Sequence, residues 1–285
     1  MAPNYKAELV GVFGYPVAEN PTGVMQEAAF AALGLNWRYL TIEVKPQDLP
    51  DAFRGLRAFN MAGINLTIPH KVAVLALLDG ISPDAQMIGA VNTVRREGGR
   101  LIGENTDGKG FLRGVREEAG VDPRNKRIVI LGAGGAARAI AFELALAGTA
   151  ELLIFNRTVD RGEGLLDALK TRAHANARFQ PWSATYHVTP DVDILVNATS
   201  IGLYPDVEVM PDVSLDNARP DLLVCDVVPN PPETRLVQTA RAKGVRVLNG
   251  LSMLVYQGVI GFEMWTGLKA PEAVMKAALS KAFSV

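Results

Sequence analysis

Short apolar runs rich in β-branched residues alternate with longer stretches of helical period along this chain. Val10 to Phe13, Tyr39 to Val44 and Gly63 to Ile68 predict strands, and Thr22 to Leu33 and Leu49 to Phe59 predict the helices between them. Alternation of this kind predicts βαβ units and a largely parallel sheet. Val91 to Arg96 and Arg100 to Gly103 flank Gly98-Gly99, a hairpin signal, which we place at an edge of the first domain. A helical pattern from Gly110 to Ala119 leads into Asp122-Pro123-Arg124-Asn125-Lys126, and the domain boundary is expected near this turn. A second series then begins. Ile128 to Leu131, Glu151 to Phe155, Ile194 to Asn197, Leu223 to Val228 and Val245 to Leu248 are mostly continuous apolar runs, as expected of parallel strands buried on both faces. Ala136 to Ala147 and Glu233 to Lys243 predict helices, and from Leu251 a last helical segment runs through Gln257 and Trp265. The expected organisation is a first domain of residues 1–110, to which residues 251–285 return, and a second of residues 111–250.

Composition narrows the class. The 285 residues are 48% hydrophobic and 21% charged, ordinary for a globular protein. The 29 basic and 30 acidic residues leave a net charge of −1, which argues against nucleic acid or an anionic membrane as partner. Cys225 is the single cysteine, so no internal disulfide can form and a reducing compartment fits. Met1 to Glu8 lacks the apolar stretch of a signal peptide, and no apolar run is long enough to span a bilayer; the cytoplasm is the expected location. His70, His174 and His187 are too scattered for a metal site, so no metal is expected. An apolar strand position makes Cys225 an expected buried, inert thiol.

One loop carries a nucleotide signature. Ile128 to Leu131 is followed by Gly132-Ala133-Gly134-Gly135-Ala136, a strand, a tight turn and a helix start. Glycines let the main chain approach a phosphate, and the helix N-terminus offers free amide donors and a positive dipole end to a pyrophosphate. Roughly 20 residues past the first glycine, NAD sites usually carry an acid that grips the ribose hydroxyls. Here the second strand ends at Asn156-Arg157-Thr158, with Arg161 close by. Two guanidinium groups suit a 2′-phosphate, so NADP is favoured over NAD, with Asp160 the dissenting residue.

The candidate chemistry lies upstream. Lys71 ends the run Asn65-Leu66-Thr67-Ile68-Pro69-His70-Lys71, and Asp107 lies inside Gly103-Glu104-Asn105-Thr106-Asp107-Gly108. Between them stands Gly89-Ala90-Val91-Asn92-Thr93. A lysine, an aspartate and amide side chains followed by a nucleotide loop point to alcohol–ketone redox chemistry. Oxidising an alcohol releases a proton, and a lysine can carry it if desolvation lowers its pKa; a nearby carboxylate works the other way.

With Asn197-Ala198-Thr199-Ser200-Ile201-Gly202 and Asn249 to Gln257, these segments stand in an order that resembles the shikimate dehydrogenase family over most of the chain. The resemblance implies an N-terminal α/β substrate domain and a Rossmann-type doubly wound NADP-binding domain, with a cleft between them. It also implies hydride transfer between a nicotinamide and a ring hydroxyl of shikimate, quinate or a relative. Carried over by position, Lys71 and Asp107 are the acid–base dyad. Asn65, Thr67, Asn92, Thr106 and Gln257 meet the ring hydroxyls, which suits groups able to donate and accept. Thr199, Val227 and Gly250 line the nicotinamide end. A monomer or homodimer is expected.

The chain departs from the family at one end of the substrate. Glu19-Asn20-Pro21-Thr22-Gly23 lines up with a His-Ser-x-Ser-Pro stretch whose serines grip the substrate carboxylate. Asn20 and Thr22 replace the serines, Glu19 the histidine and Gly23 the proline. Pro229 stands where the family often has a second tyrosine, and offers no side-chain donor. The expectation is retained hydride chemistry with changed specificity: an analogue with a different or missing carboxylate, or a bulkier cyclic polyol. Shikimate held by Asn20 and Thr22 with altered affinity stays open. So do three other readings. They are an NAD-dependent catabolic quinate or shikimate enzyme, a silent NADP-binding sensor, and a relative of the folate-linked methylene dehydrogenases.

Overall fold

The computed structural model describes residues 5–284; of the Met1 to Glu8 stretch weighed as a leader, the first four residues lie outside the described residues. In chain order the elements begin with β1 (Glu8–Gly14), α1 (Thr22–Ala32), β2 (Trp37–Glu43), α2 (Leu49–Ala58), β3 (Gly63–Leu66), α3 (His70–Ala73), β4 (Gly80–Ile81), α4 (Pro83–Ile88), β5 (Thr93–Glu97) and β6 (Arg100–Glu104). Next come α5 (Asp107–Glu117), β7 (Arg127–Leu131), α6 (Gly135–Leu146), β8 (Glu151–Asn156), α7 (Val159–Ala173), β9 (Ala177–Pro181), β10 (Tyr186–His187), β11 (Ile194–Asn197), β12 (Val213–Ser214) and β13 (Leu223–Asp226). The chain ends with α8 (Arg235–Ala242), β14 (Arg246–Leu248), α9 (Gly250–Thr266) and α10 (Glu272–Phe283). By their contacts the residues form two compact units: those up to Thr106 together with those from Gln257 onward, and Asp107–Tyr256.

The first unit holds a six-stranded sheet in the order β2-β1-β3-β5-β6-β4. β1 pairs in parallel with β2 and β3, as the βαβ pattern requires, and β5 and β6 form the antiparallel hairpin. That hairpin is not at the edge. The two-residue strand β4 pairs in parallel outside β6, because Gly80 and Ile81 reach Ile102 and Gly103. Registers put Val12 opposite Asn65, Asn65 opposite Thr93 and Thr93 opposite Glu104, so one row across the sheet carries three polar residues. One face buries Phe13, Phe53, Leu56, Ile64, Leu66 and Val94 against α2 and the α4 region. On the other, α1 packs with α10, Phe30 stacks on Phe262 at 5.5 Å and Tyr39 lies 6.3 Å from Trp265.

The second unit is a fully parallel six-stranded sheet, β14-β13-β11-β7-β8-β9. Its first strand sits centrally, with the next two on one side and the last three on the other. That is the 3-2-1-4-5-6 order of doubly wound dinucleotide-binding folds, which reverses between β7 and β11. Its inner strands β11 and β13 are largely apolar because both faces are covered, whereas edge strand β9 exposes Arg178 and Gln180; Val129, Leu131, Leu195, Val224 and Leu236 belong to one core. The small strands β10 and β12 pair separately. Helix α5 lies in the second unit. It packs along α6, and Arg113 stacks over the Tyr256 ring at 4.9 Å. Among the described residues no helix is long and apolar enough to cross a membrane.

Candidate functional site

The polar row of the first sheet is the centre of a hydrogen-bonded network. Asn65 Nδ2 donates to the Asn92 carbonyl at 3.2 Å and to Thr93 Oγ1 at 2.9 Å. Asn92 in turn grips Thr106: its Oδ1 accepts the Thr106 N–H at 2.7 Å and its Nδ2 donates to Thr106 Oγ1 at 2.9 Å. Thr93 Oγ1 and Thr106 Oγ1 lie 3.1 Å apart. All four side chains are buried, so these bonds form away from competing water and fix their rotamers. Asn65 spends both its hydrogens inside the protein. It is held as part of the frame, a stronger constraint than its expected contact with a ring hydroxyl requires.

Lys71 sits on the single turn α3, half-buried. Two bonds place that turn: buried His70 has its Nε2 2.7 Å from the Val44 carbonyl, and the His70 N–H donates to the Thr67 carbonyl at 2.9 Å. The Thr67 N–H donates to Phe13 at 3.0 Å, which carries the end of β1 into the same loop. The Lys71 carbonyl accepts the Val91 N–H at 2.8 Å, one residue before Asn92. Lys71, Thr67, Asn92 and Thr106 are therefore joined through backbone and side-chain bonds. Asp107 is the next residue along the chain; it opens α5 and is buried. Gln257 is buried at the start of the returning segment, and the carbonyl of Gly258 beside it accepts Gln26 Nε2 at 2.9 Å.

At the divergent corner, Asn20 Oδ1 accepts the Thr22 N–H at 3.0 Å, and Thr22 is 4% exposed. Glu19 is exposed. On β2, the Tyr39 O–H donates to Asn65 Oδ1 at 2.8 Å. Burial pushes the Tyr39 phenol well above its ordinary pKa. Sequence reading had Tyr39 only as a strand residue. Its position among alternating buried and exposed residues signals burial and says nothing of its bond to Asn65.

The second unit builds the nucleotide cradle. Gly132 has φ +111°, and a Cβ there would lie 2.9 Å from the Ala198 carbonyl, so only glycine fits this turn. At Gly134 and Gly135 a Cβ would meet nothing within 4 Å, which leaves open space at the N-terminus of α6 for a phosphate to approach Gly132 to Ala136. Asn156 Nδ2 donates to the Thr158 carbonyl at 2.7 Å and tightens the turn after β8. Arg157 and Arg161 flank it, both exposed and in no ion pair among the described residues. Asp160 is exposed beside them. This donor set fits a 2′-phosphorylated dinucleotide.

A buried carboxylate missed by sequence reading supports the far end of the cradle. Asp226 Oδ1 accepts Asn197 Nδ2 and the Val228 N–H, each at 3.0 Å, and its Oδ2 accepts the Thr234 hydroxyl at 2.7 Å. Asn197 Oδ1 accepts the Thr199 hydroxyl at 2.7 Å, and the Val227 N–H donates to the Asn197 carbonyl at 3.0 Å. Burial raises the Asp226 carboxyl above its ordinary range, against the three donors that lower it. The register that sets Asn197 opposite Asp226 makes this network possible. Thr199 and Val227 are thus held together, and Gly250 starts α9. Among the described residues no three His, Cys, Asp or Glu side chains cluster as metal ligands would.

Three family models cover most of the chain: a shikimate dehydrogenase substrate-binding domain at residues 12–94, a shikimate/quinate 5-dehydrogenase at 115–229 and a shikimate 5′-dehydrogenase C-terminal domain at 250–279. The chain is 47% identical over 276 residues to the shikimate dehydrogenase (NADP(+)) of Methanopyrus kandleri, 96% of this chain and 95% of that one. It is similar to the ligand-free 5-ketofructose reductase of Gluconobacter sp. strain CHM43, with TM-score 0.93 and 46% identity over 98% of this chain and 100% of that one. It is also similar to the shikimate 5-dehydrogenase of Thermus thermophilus in complex with NADP(H) and shikimate, with TM-score 0.84 and 36% identity over 96% and 99%.

Proposed function

The chain belongs to the shikimate dehydrogenase family, and from that premise we propose that it is an NADP-dependent oxidoreductase. It interconverts a ring hydroxyl and a ketone on shikimate (3-dehydroshikimate) or a related cyclic polyol. The observation that carries this reading is the bonded stretch from Lys71 through Val91 and Asn92 to Thr106, with Asp107 next in the chain. In this reading the first unit binds the polyol and the second the cofactor.

NADP, when bound, takes or supplies the hydride. Gly132, Ala133, Gly134, Gly135 and Ala136 would hold its pyrophosphate, and Asn156, Arg157, Thr158 and Arg161 the phosphorylated ribose. Thr199, Val227 and Gly250 would line the nicotinamide end. Lys71 Nζ takes the hydroxyl proton in oxidation and returns it in reduction. Asp107 accepts a hydrogen bond from the neighbouring ring hydroxyl and so fixes the direction of the reacting one. Asn92, Thr67, Thr106 and Gln257 meet the remaining hydroxyls, with Asn65 behind them. Holding the reacting groups in one geometry is the larger part of the catalytic effect available to such a set.

A second reading of the substrate is favoured by a specific observation. The carboxylate-gripping serines are Asn20 and Thr22 here, and a chain 46% identical is named for 5-ketofructose, a sugar diketone without a carboxylate. The test is initial rates followed by reduced-cofactor absorbance. Shikimate and quinate are offered with NADP and NAD, and 5-ketofructose with NADPH and NADH. Turnover with the phosphorylated cofactor supports the reading. Shikimate turnover at ordinary efficiency selects the acid, and ketose turnover alone selects the neutral polyol. No turnover of any of the three would overturn it. A cytoplasmic monomer or homodimer completes the reading, and light scattering on the purified protein tests the oligomeric part.

A further inference from the structure

A buried tyrosine outside every motif is bonded into the frame that joins Lys71 to the residue before Asp107. The direction of its bonds follows from groups that can play one part only. The Asn92 carbonyl accepts and never donates, so the Asn65 atom 3.2 Å from it is Nδ2, which also donates to Thr93 Oγ1 at 2.9 Å. Asn65 Oδ1 therefore faces Tyr39, and the Tyr39 O–H donates to it at 2.8 Å. The Thr106 N–H only donates, so Asn92 turns Oδ1 toward it and gives Nδ2 to Thr106 Oγ1. Thr93 Oγ1, 3.1 Å from Thr106 Oγ1, closes the link. One run of bonds thus leads from Tyr39 through Asn65 and Thr93 to Thr106. A branch leads from Asn65 to the Asn92 carbonyl, and the N–H of the preceding Val91 donates to the Lys71 carbonyl.

The residue at position 39 is fitted to this task. Tyr39 stands on β2, and β1 separates β2 from β3, which carries Asn65. Two strand spacings are about 10 Å, so a long side chain ending in a donor is needed to span them. Burial keeps the phenol protonated, and its hydrogen stays available. Tyr39 is also anchored at both ends of its side chain's reach. Its backbone N–H donates to Glu27 Oε1. Its ring lies against Trp265, whose indole N–H donates to the Val94 carbonyl at 3.0 Å. A Cβ at Gly23 would stand 3.3 Å from the ring, so this departure from the family pattern gives the ring its room.

We propose that Tyr39 is a positioning residue for the reaction, acting through Asn65 and Thr93 to hold Asn92 and Thr106 in the geometry that Lys71 and Asp107 need. This rests on the oxidoreductase reading above and adds a residue to it. Removing the phenol oxygen leaves Asn65 Oδ1 buried without that donor. The amide cannot simply turn over, because Oδ1 would then meet the Asn92 carbonyl, acceptor against acceptor. It loosens instead, and the slack passes along the run to Thr93 and Thr106. Lys71 and Asp107 keep their chemistry and lose part of their alignment.

The test is a double-mutant cycle of Tyr39→Phe, Asn65→Leu and the pair, on the full chain, with saturating NADP and the polyol that the initial-rate panel selects. In Tyr39→Phe, kcat should fall about tenfold, as a small misplacement of the reacting groups would cause. The KM for NADP and the ionisation in the pH–rate profile should not move, since the cofactor residues and Lys71 are untouched. In the Asn65→Leu background, Tyr39→Phe should change kcat by less than about twofold, whereas independent effects would multiply. A merely structural tyrosine would lower Tm and leave the kcat of the folded protein alone. Thr93→Val serves where either variant does not fold. It cuts the same run one bond further on and should itself lower kcat about tenfold. Unchanged kcat in folded Tyr39→Phe or Thr93→Val, or effects that multiply in the pair, overturns the proposal and leaves the oxidoreductase reading standing. A wild type that turns over none of the polyols sinks that reading and the proposal with it.

Discussion

Replacing Asp226 separates two roles that a buried carboxylate combines. It is 2% exposed and accepts three hydrogen bonds, from Asn197, Val228 and Thr234. Asp226→Ala removes all three acceptances. The Thr234 hydroxyl can turn, but the Val228 N–H and one Asn197 hydrogen stay buried, and an orphaned buried donor costs about 1–3 kcal/mol. The expected loss is about 3 kcal/mol, or a fall in Tm of about 6–12 °C. Asp226→Asn has a different fate. Its Oδ1 can keep Asn197 and Val228 while its Nδ2 donates to Thr234, so stability should change by no more than about 1 kcal/mol. The pH dependence follows from the raised carboxyl. The folded state holds the Asp226 proton more tightly than the unfolded chain does. Its contribution is therefore full below the unfolded value, about 3.9, and is lost as pH rises through the raised folded value. The stability of Asp226→Asn relative to wild type should rise across that window and then level off. Urea melts from pH 4 to 8, with the KM for NADP alongside, read all of this. Because Asn197 holds Thr199, Asp226→Ala should also raise that KM. Equal destabilisation by Ala and Asn, or a relative stability of Asp226→Asn that falls with rising pH, would refute the reasoning.

Two further outcomes are expected. Arg157 and Arg161 are exposed, so each should contribute about 1 kcal/mol to 2′-phosphate binding, the upper end for an exposed ion pair. Alanine at either should raise the KM for NADP about fivefold and leave that for NAD unchanged; equal effects on both cofactors would count against the assignment. Cys225 is fully buried, and burial together with Asp226 pushes its thiol well above the ordinary range. Iodoacetamide at pH 8 should label it only after unfolding in urea, and labelling of the native protein would contradict its placement.

Much of the fold was legible because its signals are local. Continuous apolar runs such as Ile194 to Asn197 and Leu223 to Asp226 leave little alternative to buried parallel strands. The turn after β7 announces itself through Gly132, whose backbone angle admits no other residue without strain. What escaped depends on contacts distant in sequence. The strand β4 has two residues and exists only because β6 offers an edge. In the site, the motif segments pointed to Asn65, Asn92 and Thr106, but not to the bonds that lock them together across three strands. Tyr39 and Asp226 carry no motif of their own. Their roles emerge when register sets Asn197 beside Asp226 and when β2 and β3 bring Tyr39 and Asn65 into contact.

The most direct test of the account is the pH–rate profile of Lys71→Ala beside wild type, with saturating NADP and whichever polyol the initial-rate panel selects. If Lys71 carries the hydroxyl proton, kcat should fall by roughly 10²–10⁴-fold, the range for a positioned acid–base group. The ionisation seen in the wild-type profile should vanish while NADP affinity stays the same. A variant with the wild-type profile and rate would contradict the account.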